Sequence, residues 1–176
     1  MSGGVRRCPA DDSAGGIGTA QSGTVDDDQA VIAELTQLAL SRAAPDELAV
    51  FEETAEEYFA DPQAALSATS KDTAVGFGLE LAMLTPVALA VGSTVLQALA
   101  AMLSERFLAA GGRSVSAMLR RVFRRDQPPD PALTLTPEQA QYLRQVALQR
   151  AHALGMPPQQ AHLLADSFVG ALATPG

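Results

Sequence analysis

The sequence predicts an all-α fold: two helical hairpins flanking a long, Pro-kinked hydrophobic helix and a short basic amphipathic helix. Three observations predict it. Apolar residues make up 47% of the chain but aromatics only 5%, so Ala and Leu carry the apolar content. These side chains lose little entropy in a helix, and the aromatic and β-branched residues that favour strands are less used. Apolar positions recur at intervals of three and four, the period of a helix face. Most prolines and glycines fall between the periodic runs, where they start and stop helices.

Residues 1–24 are Gly, Ser, Thr, Ala and Asp with almost no large apolar side chains, so burial cannot offset the entropy of ordering them and a disordered tail is expected. Gly15-Gly16-Ile17-Gly18 lies in this tail without a preceding strand, which argues against a phosphate-cradling loop. Arg6-Arg7 is followed by Pro9, Ala10, Asp11 and Asp12 instead of an apolar run, and Ser2 follows Met1, so neither an export signal nor N-myristoylation is expected.

Residues 25–70 read as an acidic helical hairpin. Asp26, Asp27 and Asp28 place negative charge where a helix start favours it, and Ile32, Leu35, Leu38 and Ala39 continue a helix over about 28–42. Pro45 sits in the first turn of the next helix. Leu48, Phe51, Ala55, Tyr58 and Phe59 are its apolar face. Glu52, Glu53, Glu56 and Glu57 read as a solvated face in preference to a metal or cationic-partner site. Asp61-Pro62 ends this helix, leaving a short helical or irregular link over 62–70.

Residues 71–110 are expected to form the hydrophobic helix, a candidate membrane segment. Leu81 to Ser104 is uncharged over 24 residues, roughly 36 Å of helix against a hydrocarbon core of about 30 Å. Its nine Leu and Val residues favour insertion by about 3–5 kcal/mol in total, partly offset by Pro86, Ser93, Thr94 and Gln97. Pro86 is expected to kink it. Ala88 and Gly92, and Thr94 and Ala98, are four apart, a spacing that brings helix backbones close and suggests self-association. Residues 112–126 follow as a basic amphipathic helix. Val115, Met118, Leu119 and Val122 form its apolar stripe, and Arg113, Arg120, Arg121, Arg124 and Arg125 are candidates for contact with anionic lipid headgroups.

Residues 127–135 are a Pro-rich linker, and 136–174 a second helical hairpin. Thr136-Pro137-Glu138-Gln139 gives an N-cap, a proline at the first helical position and a capping box. Tyr142, Leu143, Val146, Ala147 and Leu154 continue that helix, Gly155 caps it, and Pro157-Pro158 opens a last helix with Ala161, Leu164, Phe168, Ala171 and Leu172 facing inward.

Charge is divided along the chain. Residues 1–80 hold fifteen acids and four bases, and residues 81–176 five acids and eight bases. The net charge of −8 argues against nucleic acid as a partner. Arg outnumbers Lys eleven to one, a pattern of high-GC bacterial coding. Cys8 is the single cysteine, so no intrachain disulfide or thiolate cluster forms. His152 and His162 fall on facing helices with Asp166 and Ser167 nearby. Two histidines make a poor metal site, and adjacent Asp and Ser point to different sides of a helix, which disfavours a catalytic relay.

No catalytic residue, metal or cofactor is expected. The composition points to a small, non-enzymatic, membrane-associated helical interaction protein of the adaptor or effector type, able to insert conditionally, with its carboxy-terminal part cytoplasmic. Its expected partners are the membrane or anionic lipid headgroups, a protein of unspecified identity and, as a candidate homo-oligomer, a second copy of itself. The alternative is a soluble, cytoplasmic all-α adaptor or accessory subunit with residues 74–104 as its buried central helix.

Overall fold

A computed structural model describes residues 20–74, 84–109 and 135–173, and among them there are helices and no strands. Six α-helices follow in order: α1 (Ala20–Ala43), α2 (Phe51–Ala60), α3 (Pro62–Ala74), α4 (Leu84–Ala109), α5 (Pro137–Ala153) and α6 (Pro158–Ala173), with a 3-10 turn at Pro45–Ala49. The basic segment with Arg113, Arg120, Arg121, Arg124 and Arg125 lies outside the described residues, as do the linker 127–134 and the first nineteen residues.

Four helices close a ring. α1 packs on α4 and α6, and α5 packs on the same two helices. α2 and α3 lie on α4 and on each other, while α1 touches α2 only lightly. The apolar helix α4 is therefore flanked by α1, α2, α3 and α5. Leu89 and Val91 are fully buried, and Val95 and Leu99 are 1% exposed. Apart from Thr85, which is buried at the start of the helix beside Glu47, the polar residues in the body of the helix gather on the opposite side. Gln97 is exposed, Ser93 and Thr94 are half-buried, and Ala98 and Ala101 extend the same stripe at helical spacing. Ser93 and Thr94 donate their hydroxyls to the carbonyls of Leu89 and Ala90, so neither hydroxyl needs a partner outside the helix.

Several element boundaries differ from the sequence expectation. α1 begins at Ala20 instead of about residue 28, which moves Asp26, Asp27 and Asp28 out of the first turn and away from the positive end of the helix. The expected helix from Pro45 splits into the 3-10 turn and α2. The link after Asp61 is a helix, because the Asp61 carboxylate accepts from the amides of Gln63 and Ala64 and Pro62 takes the first helical position. α3 is described to Ala74 and α4 from Leu84, whose amide donates to Glu47, so Pro86 falls in the first turn of the described helix, where its missing N–H removes no hydrogen bond; a kink between it and residues 75–83 lies outside the described residues.

The start of α4 is held from a distance. One Glu47 carboxylate oxygen accepts from the Leu84 amide at 3.0 Å. The other accepts from the Thr85 amide at 3.2 Å and the Thr85 hydroxyl at 2.6 Å. Negative charge thus meets the unpaired amides and the positive dipole end of the apolar helix. At the other side of the ring, α5 has the capping box expected from sequence: Gln139 donates its amide to Thr136 Oγ1, and the Thr136 amide donates to Gln139 Oε1. It ends in a Schellman turn. Gly155 takes φ +82°, its amide donates to the His152 carbonyl, and that of Met156 donates to the Ala151 carbonyl. Tyr142, expected on the apolar face of α5, is instead about half exposed, and Ala151 takes its place in the core.

Three helices meet at Gly92. A Cβ there would stand 2.5 Å from Thr36 Oγ1 of α1 and 3.3 Å from the ring of Phe168 on α6. Both neighbours are fully buried, and the Thr36 hydroxyl finds no hydrogen-bond partner among the described residues. Gly92→Ala is expected to destabilise the fold by up to about 2 kcal/mol, since overpacking of about 1–3 kcal/mol is offset by a helix-propensity gain of only about 1 kcal/mol. Thr36→Ala in the same chain should recover part of the loss, a coupling that chemical denaturation of the two single variants and the double variant reads directly.

Candidate functional site

The described surface has two places where polar groups gather. The first is an open groove of about 600 Å³ between α1 and α2. It exists because these two helices both lean on α4 but hardly on each other. Asp26, Ala30, Ala33 and Gln37 recur along one face of α1, and Phe51, Ala55 and Phe59 along one face of α2. The alanines Ala30 and Ala33 with Phe51, Ala55 and Phe59 give an apolar floor. Asp26 and Glu34 on one side and Glu52 and Glu56 on the other give an acidic rim, and no cation is among the described residues that line it. Glu52 and Glu56 are exposed, as expected for a solvated face, while Phe51 and Ala55 next to them are buried.

The second place is on α5 and α6. Arg144 forms an ion pair and hydrogen bonds with the Asp166 carboxylate, and its Nη2 lies 3.3 Å from His162 Nδ1. The Arg144 guanidinium holds the Asp166 carboxyl below its ordinary value, chiefly through the hydrogen bond, which outweighs the opposing effect of burial, with the charges of Arg144 and His162 adding to the lowering. The same pairing raises Arg144. His152 and His162 stack edge to face with centroids 6.4 Å apart, both on the exposed side. Ser167 is buried and donates to the Leu163 carbonyl. Its hydroxyl is committed within its own helix while Asp166 is committed to Arg144, which leaves no Ser-His-Asp alignment here.

The residues singled out for helix packing are divided by the fold. Ala88 and Gly92 lie inside the ring, Gly92 against Thr36 and Phe168. Thr94 and Ala98 lie on the half-buried outer stripe of α4. The arginines proposed for headgroup contact are outside the described residues. Sequence reasoning missed Glu47 and the groove. Glu47 meets α4 across 37 positions of chain, and nothing in the local pattern PDELA signals that. The groove depends on how far α1 and α2 splay, although the alternation of apolar and acidic positions on α2 was visible and supplies one wall.

No family model matches this chain, and neither the curated proteins nor the solved structures contain a match to it.

The Arg144–Asp166 pair gives a pH dependence of definite sign. Because Asp166 is lowered in the folded state, its contribution to stability is present above the ordinary carboxylate value and is lost as pH falls through the lowered one. Asp166→Asn should therefore lower Tm slightly at pH 6, and the difference from the unsubstituted protein should shrink as pH falls towards and through the lowered value, where the carboxyl becomes protonated in the folded as well as the unfolded chain. Thermal melts of the two proteins at pH 6, 4 and 3 check this.

Proposed function

We propose that the chain is a non-enzymatic helical interaction module, an adaptor or accessory subunit, that works in water with α4 as its covered central helix. The observation that carries this reading is the phasing of α4. Its Leu and Val residues face α1, α2, α3 and α5, and Ser93, Thr94 and Gln97 fall on the one stripe left open to water. A helix surrounded by lipid has no need for its polar residues to coincide with the side that its own chain leaves uncovered. In this reading the acidic amino-terminal helices and the hairpin at 136–174 are the docking surfaces, and the protein resides in the cytoplasm.

A membrane-associated reading draws on one observation. Leu84–Leu103 is long and apolar enough to cross a bilayer by length and composition, a property that core helices share. Insertion there, with Arg113, Arg120, Arg121, Arg124 and Arg125 on anionic headgroups, requires α4 to leave its partners. That departure exposes the buried faces of α1, α5 and α6, including Leu35, Leu143 and Phe168. The cost of exposing them is about 1.5–3 kcal/mol for each large side chain, which exceeds the marginal gain on insertion.

Fractionation separates the two. After expression in a bacterial host, an alkaline carbonate wash of the membrane pellet should release whatever protein sediments with it, and most should already be in the soluble fraction. Retention in the washed pellet would contradict the covered-helix reading.

A further inference from the structure

The groove between α1 and α2 restricts what can occupy it. Both walls are helices whose backbone groups are engaged within the helix, so an extended peptide finds no strand edge to pair with. A segment that satisfies its own backbone as a helix suits such walls. The wall from Asp26 to Gln37 covers three turns, about 17 Å, which fits a helical segment of roughly eleven residues. The floor of Phe51, Ala55 and Phe59 calls for an apolar stripe on that segment. The carboxylates of Asp26, Glu52 and Glu56 repel phosphates, which disfavours nucleic acid and anionic headgroups and favours cations.

We infer that the groove docks a cationic amphipathic helix of a partner protein, with its apolar stripe on Phe59, Ala30 and Ala33, the apolar lining residues that are not fully buried, and its Arg or Lys side chains over Glu52, Glu56 and Asp26. This rests on the reading of the chain as an interaction module and supplies the chemistry of its partner. The apolar floor provides most of the affinity. The rim charges set orientation and association rate and make binding weaken with salt.

The test uses the full chain and fluorescence anisotropy. The probe is a labelled synthetic peptide with the sequence of residues 113–125, in which Val115, Met118, Leu119 and Val122 are flanked by arginines. A peptide of the same composition in scrambled order is the control. The expected result is saturable binding that is at least about five-fold tighter than for the scrambled peptide, since charge alone does not reproduce the apolar stripe. A Glu52→Gln, Glu56→Gln double variant should bind about five- to ten-fold more weakly, and both exposed side chains can be changed without loss of the fold. Equal binding of the scrambled peptide, or unchanged binding by the double variant, overturns the proposal.

If the chain binds no probe, the same titration is made on a full-length variant with Arg120, Arg121, Arg124 and Arg125 changed to Gln. Binding by that variant alone gives the groove to the chain's own basic segment and overturns the partner assignment. Absence of binding by both also overturns it. A dimer in light scattering that the peptide dissociates gives the groove to a second copy, with the same consequence. Carbonate release reads the covered-helix module separately, so a protein that is released but binds no probe loses this partner and keeps that reading.

Discussion

A 26-residue helix as apolar as α4 is stable in water only when other helices cover it, and the rest of the described chain is arranged around that requirement. α1 and α5 flank α4, α6 closes the ring between them, and α2 with α3 covers a further side. A point of close approach in this arrangement is Gly92. Because it has no side chain, the Thr36 hydroxyl and the Phe168 ring reach the α4 backbone from two different helices. Interiors are packed without spare volume, so a single methyl group at this position has to displace one helix or the other. Phe168, fully buried, is the large side chain that fills the space Gly92 leaves.

Covering the sides of α4 leaves its ends. Its first amides lie beside Glu47, whose carboxylate takes up the two leading N–H groups and the Thr85 hydroxyl. The 3-10 turn at Pro45–Ala49 has a tertiary purpose in this arrangement. It turns the chain after α1 so that Glu47 faces α4, and α2 then resumes from Phe51 with its apolar side inward. Elsewhere the ends are managed locally, by Asp61 for α3, by Thr136 with Gln139 for α5, and by Gly155 after it. The long apolar helix is the one whose described cap comes from another part of the chain. Its start is thereby tied to the folding of the acidic segment that precedes it.

The all-helical class was legible because it follows from composition and local period. The Thr136–Gln139 box and the Gly155 turn were legible because each is complete within a few residues. The capping of Leu84 and Thr85 by Glu47 was not. The apolar run at residue 81 reads as the continuation of a helix begun near Lys71, and nothing in that local pattern marks Leu84 as a position whose amide is taken up by a carboxylate 37 residues earlier. The open side of α4 was also hidden. Ser93, Thr94 and Gln97 are too few to produce a clear polar face in an Ala- and Leu-rich run, and their common stripe has meaning only once the covering helices are in place. Tyr142 misled because a phenol at helical spacing looks like a core residue, whereas small Ala147 and Ala151 allow α5 to sit close to its neighbours. The groove is tertiary in origin. One wall was visible in the acidic and apolar alternation of α2, but the opposite wall comes from α1, about 25 residues earlier in the sequence.

Amide hydrogen exchange on the full-length protein, in buffer free of detergent and lipid, tests the covered central helix most directly. The amides from Leu89 to Leu99 should exchange as slowly as those of the buried positions on α5 and α6, through global unfolding, because all belong to one packed ring. Rapid exchange across Leu89–Leu99 while α5 and α6 remain protected, or protection of α4 that arises only on adding vesicles, would contradict the account.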